Sequence, residues 1–310
     1  MRQWGPGVIV VLLFGFMLFA PQAVFSGATD GLLLWFQIVL PTLFPFMLIS
    51  GLLLETGGLR IISRIFGKLL GKLFAVSENG AFAVLAGFLC GYPMGAKVTA
   101  DLIRSGRVTR EEGAYLLSFC NNTSPVFIMN FLVWKTLGQE ELTIPSLMIL
   151  MAAPALLSIL FRRFYLKGRE KFQSLRPEAE KKKMRLDLTV FDSCMMNSFE
   201  SIVKVGGYII FFSILIALFG EISGDLPFLA VIMPTLEVTN GIIMINNAVT
   251  DLSLSYPLIL GLTSFGGFCS VAQTDCMIQG TGLRLLPYIA EKLAAALAAS
   301  LLAYLYLSVF

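Results

Sequence analysis

Twice this chain interrupts an apolar stretch of membrane length, at Gly87-Phe-Leu-Cys-Gly-Tyr-Pro-Met-Gly95 and at Ser264-Phe-Gly-Gly-Phe-Cys-Ser-Val-Ala-Gln-Thr-Asp275. Both interruptions combine backbone breakers with uncharged hydrogen-bonding residues. Backbone groups left unpaired at membrane depth cost several kcal/mol unless protein or a wet cavity covers them. Paired interruptions in the two halves of a membrane protein are typical of a binding site built from broken helices. The pattern therefore predicts a transporter.

The composition indicates an integral membrane protein, with the lipid bilayer as its first partner. Of 310 residues, 56% are hydrophobic and 14% are charged, against roughly 25% charged in soluble domains. Histidine is absent, which removes the commonest metal ligand and proton shuttle. The five cysteines form no Cys-x-x-Cys pair, so neither a zinc site nor a disulfide framework is expected. The sequence predicts no enzyme, no cofactor and no nucleic-acid partner.

Long apolar runs predict the membrane-spanning helices, at 7–20, 32–54, 114–137, 143–161, 203–220 and 284–308. The first run has no clean cleavage site, so a retained helix is favoured over a removed signal peptide. Residues 1–31 are then an N-terminal helix followed by an external loop. The loop 162–185 contains ten Lys and Arg residues, and the positive-inside rule places it in the cytoplasm of a multi-pass cell-membrane protein.

This orientation also places the neighbouring segments of the first half. Residues 58–74 have basic residues at four-residue spacing and apolar residues on the other face, which predicts an amphipathic helix on the cytoplasmic surface. Arg104, Arg107 and Arg110 are cytoplasmic as well. Both flanks of segment 80–103 are therefore inside, so this segment is predicted to enter the membrane and return as a re-entrant hairpin.

The second half repeats this plan with inverted orientation. Segment 256–282 is predicted to be a hairpin that enters from outside, and helix 284–308 then returns the chain to the inside. Gly91–Arg107 also aligns weakly with Gly267–Leu283. The predicted fold is an all-α polytopic membrane protein with an inverted repeat, in which residues 32–137 form repeat 1, residues 138–202 a connecting helix and basic loop, and residues 203–310 repeat 2.

Polar residues inside the apolar runs are the candidate site. Asn121, Asn122, Thr123 and Ser124 precede Pro125 within one predicted helix. Proline removes a backbone donor, so this stretch is interpreted as an unwound segment that binds a polar solute or an ion. A kink satisfied by neighbouring helices is the alternative.

Ionisable residues within membrane segments add further candidates. Lys97 follows the first interruption, where the alternative is a lysine that reaches the cytoplasmic interface. Gln273, Thr274 and Asp275 follow the second. Asp275 has no basic neighbour in sequence and is the preferred residue for coupling to Na⁺ or H⁺.

A last polar cluster separates the apolar runs 226–236 and 241–249. Glu237, Thr239 and Asn240 belong to it. It is interpreted either as a broken helix whose carboxylate meets the solute or a cation, or as a surface helix with an external turn.

Three motifs carry a resemblance to a known family: Gly91-Tyr-Pro-Met-Gly-Ala-Lys97, Phe119-Cys-Asn-Asn-Thr-Ser-Pro-Val-Phe127 and Leu236-Glu-Val-Thr-Asn-Gly241. Over nearly its whole length the chain resembles the YlbJ-like sporulation integral membrane proteins, within the nucleoside-recognition (Gate domain) group. The element order is similar to the core of concentrative nucleoside transporters. That resemblance implies a solute site formed by Tyr92, Pro93, Asn121, Asn122, Thr123, Ser124, Gln273 and Thr274. The full nucleoside-binding pattern is absent, and no polar cluster is evident in the last helix.

The function predicted is secondary transport of a small polar solute, nucleoside-like or another metabolite, with cation coupling left open. The alternative is a non-transporting sporulation membrane protein that docks partners or gates a larger channel. A homo-oligomer is compatible with either function.

Overall fold

The computed structural model describes residues 5–168, 170–173, 175, 187–222 and 227–309, with the side chains of 6, 227 and 230 excepted. All regular secondary structure in these ranges is helical. Six helical stretches are long and apolar enough to cross a membrane: Pro21–Glu55, Arg110–Leu137, Glu140–Tyr165, Leu188–Ile222, Leu252–Ile278 and Leu285–Val309. The prediction of an all-α polytopic membrane protein is confirmed.

The N-terminal part is more helical than the sequence indicated. Helix α1 (Gly5–Phe19) ends at a bend, and α2 (Pro21–Leu34) begins at once, because proline is favoured in the first turn of a helix. The predicted external loop before residue 31 is therefore wrong. A π-helical turn (Trp35–Val39) joins α2 to α3 (Leu40–Glu55).

The α2–α3 rod packs antiparallel against α10 (Leu188–Ile222). Gly27 and Gly31 permit the close approach, since a Cβ atom on Gly27 would lie 2.8 Å from the carbonyl oxygen of Ser213. Further along, the indole of Trp35 donates a hydrogen bond to the carbonyl of Ile202 at 3.0 Å.

Helix α4 (Leu59–Phe74) is amphipathic, as its spacing predicts. Its small residues Ser63, Gly67 and Gly71 face the protein and are buried. Its bulky apolar residues, including Ile65 and Leu69, are exposed together with the basic side chains. This arrangement suits a helix that lies at a lipid surface.

The first half contains the predicted broken hairpin. Its arms are α5 (Gly80–Leu89) and α6 (Met94–Arg104), which pack against each other and are each too short to span a bilayer. The next crossing is interrupted in the middle. It consists of α7 (Arg110–Cys120), α8 (Pro125–Phe127) and a π-helical continuation (Ile128–Leu137). Helix α9 (Thr143–Tyr165) completes this half.

The second hairpin lies earlier in the chain than predicted. Its arms are α11 (Pro227–Leu236) and α12 (Val238–Ala248), which pack together around Glu237. The prediction of a hairpin at 256–282 is wrong. That region contains α13 (Leu252–Phe265) and α14 (Gly267–Ile278), which diverge because α13 packs along α15 (Leu285–Val309), whereas α14 packs on α6 and α10.

The bend between α13 and α14 comes from two consecutive glycines in the left-handed region, Gly266 (φ +88°) and Gly267 (φ +77°). The counterpart of the first hairpin tip is thus Glu237, and the counterpart of the break at 121–124 is the Gly266-Gly267 bend. Helix α13 itself starts at Asp251, and hydrogen bonds from Ser253 lower the pKa of this carboxyl group.

Several basic residues gather at one end of the molecule, called the basic end (residues 104–110, 162–167 and 279–284). Arg104 donates to the carbonyls of Met277 and Gln279 there, both at 2.8 Å, and Tyr165 hydrogen-bonds to Glu291. Helix α15 therefore starts at the basic end and runs away from it, contrary to the predicted path. The cytoplasmic location of loop 162–185 stays a prediction, and residues 169, 174 and 176–185 of this loop lie outside the described part.

Candidate functional site

The first break separates α7 from α8 at residues 121–124. The hydroxyl of Ser124 accepts a hydrogen bond from the backbone N–H of Phe127 at 3.2 Å and so starts α8. Gly87 and Gly95, one on each arm of the first hairpin, face the carbonyl oxygen of Cys120. A Cβ atom on these glycines would lie 1.5 Å and 2.1 Å from that oxygen. The backbone of both hairpin arms therefore packs directly against the backbone at the break.

Asn121 connects the two halves of the protein at this break. Its side-chain oxygen accepts from the N–H of Ala96 at 3.3 Å. Its amide nitrogen donates to the hydroxyls of Thr274 and Tyr288, at 2.9 Å and 2.8 Å. The residue is 1% exposed. Because both amide protons are used within the protein, this side chain holds α6, α14 and α15 together.

The two residues that follow are also satisfied by the protein. The amide of Asn122 donates to the carbonyl of Phe119 at 2.7 Å, and the hydroxyl of Thr123 donates to the carbonyl of Thr263 at 2.9 Å. The bond from Thr123 reaches the end of α13. Each break is thus connected to the other half of the molecule.

Glu237 forms the tip of the second hairpin. Its carboxylate accepts from the N–H groups of Thr239 (3.1 Å) and Asn240 (2.9 Å) and from the Asn240 amide (3.0 Å). It thereby caps α12, where a negative charge is favoured by the helix dipole. Both of its oxygens are used in this cap. The structure shows a broken helix at this cluster, and contact of the carboxylate with a solute or a cation stays a prediction.

The tips and the breaks converge in the middle of the protein. Gly91, in the first tip, faces Ser124, and Gly266 faces the ring of Tyr92, with contacts of 3.0 Å and 3.2 Å to an added Cβ atom. Gly267 faces the backbone of the second tip between Thr235 and Val238, at 3.1–3.3 Å. A cis peptide bond precedes Pro93 in the first tip.

A cavity of about 330 Å³ opens beside this convergence. Ligand sites in proteins span about 300–1,000 Å³, so a small solute fits. Five residues predicted from sequence line it: Tyr92, Thr123, Ser124, Glu237 and Gln273. Thr239, from the predicted polar cluster, lines it as well. The remaining polar lining was not predicted: Gln37, Thr42, Asn130, Lys135 and Ser270. Gln37 and Asn130 are isolated polar residues with apolar neighbours in sequence, which is why sequence reasoning missed them.

A second, wider cavity of about 840 Å³ lies toward the basic end. Lys97 lines this cavity and not the first, and its ammonium group pairs with Asp101 at 2.8 Å. Lys97 is therefore separated from the convergence of the tips. Asp275 is partly buried on α14 and lines neither cavity.

Lys292 is a buried polar residue that was not among the predicted site residues. It lies in α15, is 2% exposed, and donates to the backbone carbonyl of Asn121 at 3.0 Å. Its neighbour Glu291 points elsewhere and binds Tyr165. With Tyr288, Lys292 gives the last helix the polar contacts at the break that the sequence had not revealed. Within the described ranges, no group of three or more His, Cys, Asp or Glu residues could hold a metal ion.

Comparison with known proteins gives one informative match. The chain is 26% identical, over 318 aligned positions, to the sporulation integral membrane protein YlbJ of Bacillus subtilis (strain 168), and the match covers 88% of this chain and 75% of that protein. The chain is thus similar to that protein over most of its length, which supports the resemblance to the YlbJ-like family. No family model and no solved structure matches it. The relationship supports a membrane location and a role in sporulation.

The fold thus brings together most of the predicted polar residues, in two layers. Tyr92, Thr123, Ser124, Glu237 and Gln273 face the smaller cavity. Behind them, Asn121, Asn122, Thr274 and Asn240 make contacts within the protein. The cavity lining offers hydroxyl groups, the amides of Gln37, Asn130 and Gln273, the ammonium group of Lys135 and a capped carboxylate, which are groups that bind a polar solute by hydrogen bonds.

Proposed function

We propose that this protein is a secondary transporter of a small polar solute that acts in sporulation. The observation that supports this proposal is the convergence of two hairpin tips and two helix breaks on one cavity. Broken helices near the bilayer midplane are the usual way in which secondary transporters build a solute site. A structural membrane component needs no such buried polar cavity.

The lining of the cavity favours an uncharged solute with hydrogen-bonding groups and an apolar portion. Leu43, Phe127, Phe131, Val205 and Ile209 form its apolar walls. Glu237 is already neutralised in part by three hydrogen bonds from its own helix start. Gln273 donates to the sulfur of Cys269 at 3.2 Å, a weak acceptor that a solute could replace.

The test is solute-dependent thermal stabilisation of the purified protein, followed by uptake into liposomes. The panel contains nucleosides, nucleobases, amino acids and small sugars. Gln273→Ala should weaken the response to the active solute about fivefold, because one hydrogen bond is worth about 1 kcal/mol. Gln279→Ala, the same change at an exposed position outside the cavity, should leave the response unchanged.

Two results would overturn the proposal. One is the absence of stabilisation and uptake across the whole panel with a folded protein, which would favour a component that docks partners or gates a channel. The other is uptake that responds equally to the Gln273 and Gln279 substitutions.

A further inference from the structure

The two cavities described above lie in line along the same three helices. On each of α3, α10 and α14, a residue that lines the smaller cavity stands four positions from a residue that lines the wider one. The pairs are Leu43 and Met47, Val205 and Ser201, and Gln273 and Met277. Four residues of an α-helix are about 6 Å long. One helical turn on each of three helices therefore separates the two cavities.

The barrier between the two cavities consists of apolar side chains. Leu43, Met47, Val205 and Met277 are 6%, 0%, 1% and 6% exposed. Their side chains form no strong hydrogen bonds, so packing alone holds the barrier closed. The three helices are continuous at these positions. The barrier thus differs from the hairpin tips, where backbone packs against backbone.

The two cavities lie toward opposite ends of the molecule. Arg104, in the basic end, lines the wider cavity, and its side chain is 45% exposed. Lys135 lines the smaller cavity and is exposed as well. It stands close to the far end of the crossing that starts at Arg110 in the basic end. A path through both cavities would therefore connect the two ends of the protein.

The wider cavity has a polar lining without excess charge. Its charged lining residues are three cations and three anions: Lys97, Arg104 and Lys204, and Glu55, Asp101 and Glu200. Lys97 and Arg104 pair with Asp101 at 2.8 Å and 3.1 Å, and Lys204 pairs with Glu200 at 2.6 Å. Because these charges balance, the cavity attracts neither cations nor anions selectively. It suits the passage of the uncharged polar solute that the smaller cavity favours.

Resting on the proposed function, we propose that the wider cavity is the second mouth of the solute pathway and that Leu43, Met47, Val205 and Met277 form the gate between its two mouths. A solute that leaves the smaller cavity passes along α10, on which both α3 and α14 pack, and enters the wider cavity. The side chains of one helical turn are the part that must separate for this passage.

The experiment measures the entry of erythritol, a small uncharged polyol, into liposomes that contain the full chain, by light scattering after an osmotic step. The double variant Met47→Ala and Met277→Ala should raise the erythritol permeability at least about tenfold over the native protein, because an apolar constriction excludes water and polar solutes until it widens. The matched control is the double variant Met148→Ala and Met196→Ala, at positions that are 67% and 66% exposed. This control should keep the native permeability.

A second substitution tests whether the leak passes through the wider cavity. Ser201 lines this cavity, and its hydroxyl donates within its own helix to the carbonyl of Asn197. Ser201→Trp, added to the leaking variant, should therefore block most of the leak without disturbing other helices. Ser308→Trp, at an exposed position outside both cavities, should leave the leak unchanged.

A single substitution guards against a double variant that does not fold. Met277→Ala removes the less buried of the two methionine side chains and should also leak more than the native protein. A folded gate variant with native erythritol permeability would overturn the inference. So would a leak that Ser201→Trp leaves unchanged.

The results separate this inference from the proposed transport function. If no solute is bound or taken up while the gate variant leaks and Ser201→Trp blocks the leak, the transport proposal fails and the path between the cavities stands. If the native protein takes up a solute and the Ser201→Trp single variant takes it up at the same rate, transport stands and the inference fails.

Discussion

The contact between the first hairpin and the carbonyl of Cys120 makes a strong prediction about Gly87. In Gly87→Ala, the new Cβ atom would lie 1.5 Å from the Cys120 oxygen and 2.6 Å from its carbonyl carbon. Real Cβ atoms do not approach within 3.0 Å, so α5 would have to move by the difference, about 1.5 Å. A backbone carbonyl held by both hairpin arms cannot rotate away as a flexible side chain can.

The expected loss follows from two opposed effects. Overpacking of this kind costs about 3 kcal/mol, and replacing a helical glycine by alanine returns about 1 kcal/mol. For a chain of 310 residues, the net loss of about 2 kcal/mol corresponds to a fall of about 3 °C in the unfolding midpoint. Displacement of the hairpin should also disturb the cavity and abolish solute stabilisation.

Thermal unfolding of the purified variants measures this effect. Gly207→Ala is the matched control, because Gly207 lies within helix α10 with nothing within 4 Å of an added Cβ atom. It should be neutral or up to about 1 kcal/mol more stable. Equal midpoints for Gly87→Ala and Gly207→Ala would refute the proposed packing of the hairpin on the break.

Two further predictions follow from the contacts at the site and from the path of the chain. Asn121→Ala should cost about 2–4 kcal/mol in unfolding free energy, because it leaves the buried N–H of Ala96 unpaired. Asn122→Ala should cost only about 1 kcal/mol, because Asn122 makes a single hydrogen bond to a carbonyl. Similar unfolding midpoints for the two variants would contradict the connecting role of Asn121. Cysteines at Arg104 and Ser253 should react with an impermeant maleimide from opposite sides of the membrane, and labelling from one side only would contradict the crossing formed by α13 and α14.

The elements that sequence reasoning predicted correctly are those with a strong local signal. The hairpin at 80–103 was predicted because positive charges flank both ends of a segment with a proline and glycines at its tip. The break at 121–124 was predicted because four polar residues before a proline cannot continue an apolar helix without partners. The amphipathic pattern of 58–74 has a four-residue period that is visible without any structure.

The second half was predicted less well because its hairpin and its bent crossing have similar local sequences. Segment 256–282 contains the paired glycines and polar residues expected at a tip, and these in fact form a bend between two diverging helices. The true tip is marked by Glu237, which resembles a surface turn because Thr239 and Asn240 follow it. Only packing against α15 on one side and α6 on the other distinguishes the two forms.

The site required tertiary information for the same reason. Gln37 is an isolated polar residue in a long apolar helix, and Lys292 stands beside Glu291 in another. No periodicity indicates which face of such a helix is turned inward. Lys97 and Asp275 have the composition of site residues but lie away from the smaller cavity. A sequence pattern can show that a buried polar group needs a partner, but it does not identify a distant one. The partner of Lys292 is the carbonyl of Asn121, 171 positions earlier in the chain.

The close backbone contact between each tip and its own broken helix restricts how this molecule can change shape. Gly87 and Gly95 leave no space between the first hairpin and the carbonyl of Cys120, and Gly267 leaves little space between the bend of the crossing and the second tip. A tip could not rotate away from its broken helix without losing these backbone contacts. Exchange of solute between the two sides of a bilayer would instead need sliding between larger rigid bodies, each made of a hairpin with its neighbouring crossing, along the seams that α10 forms with α3 and with α14.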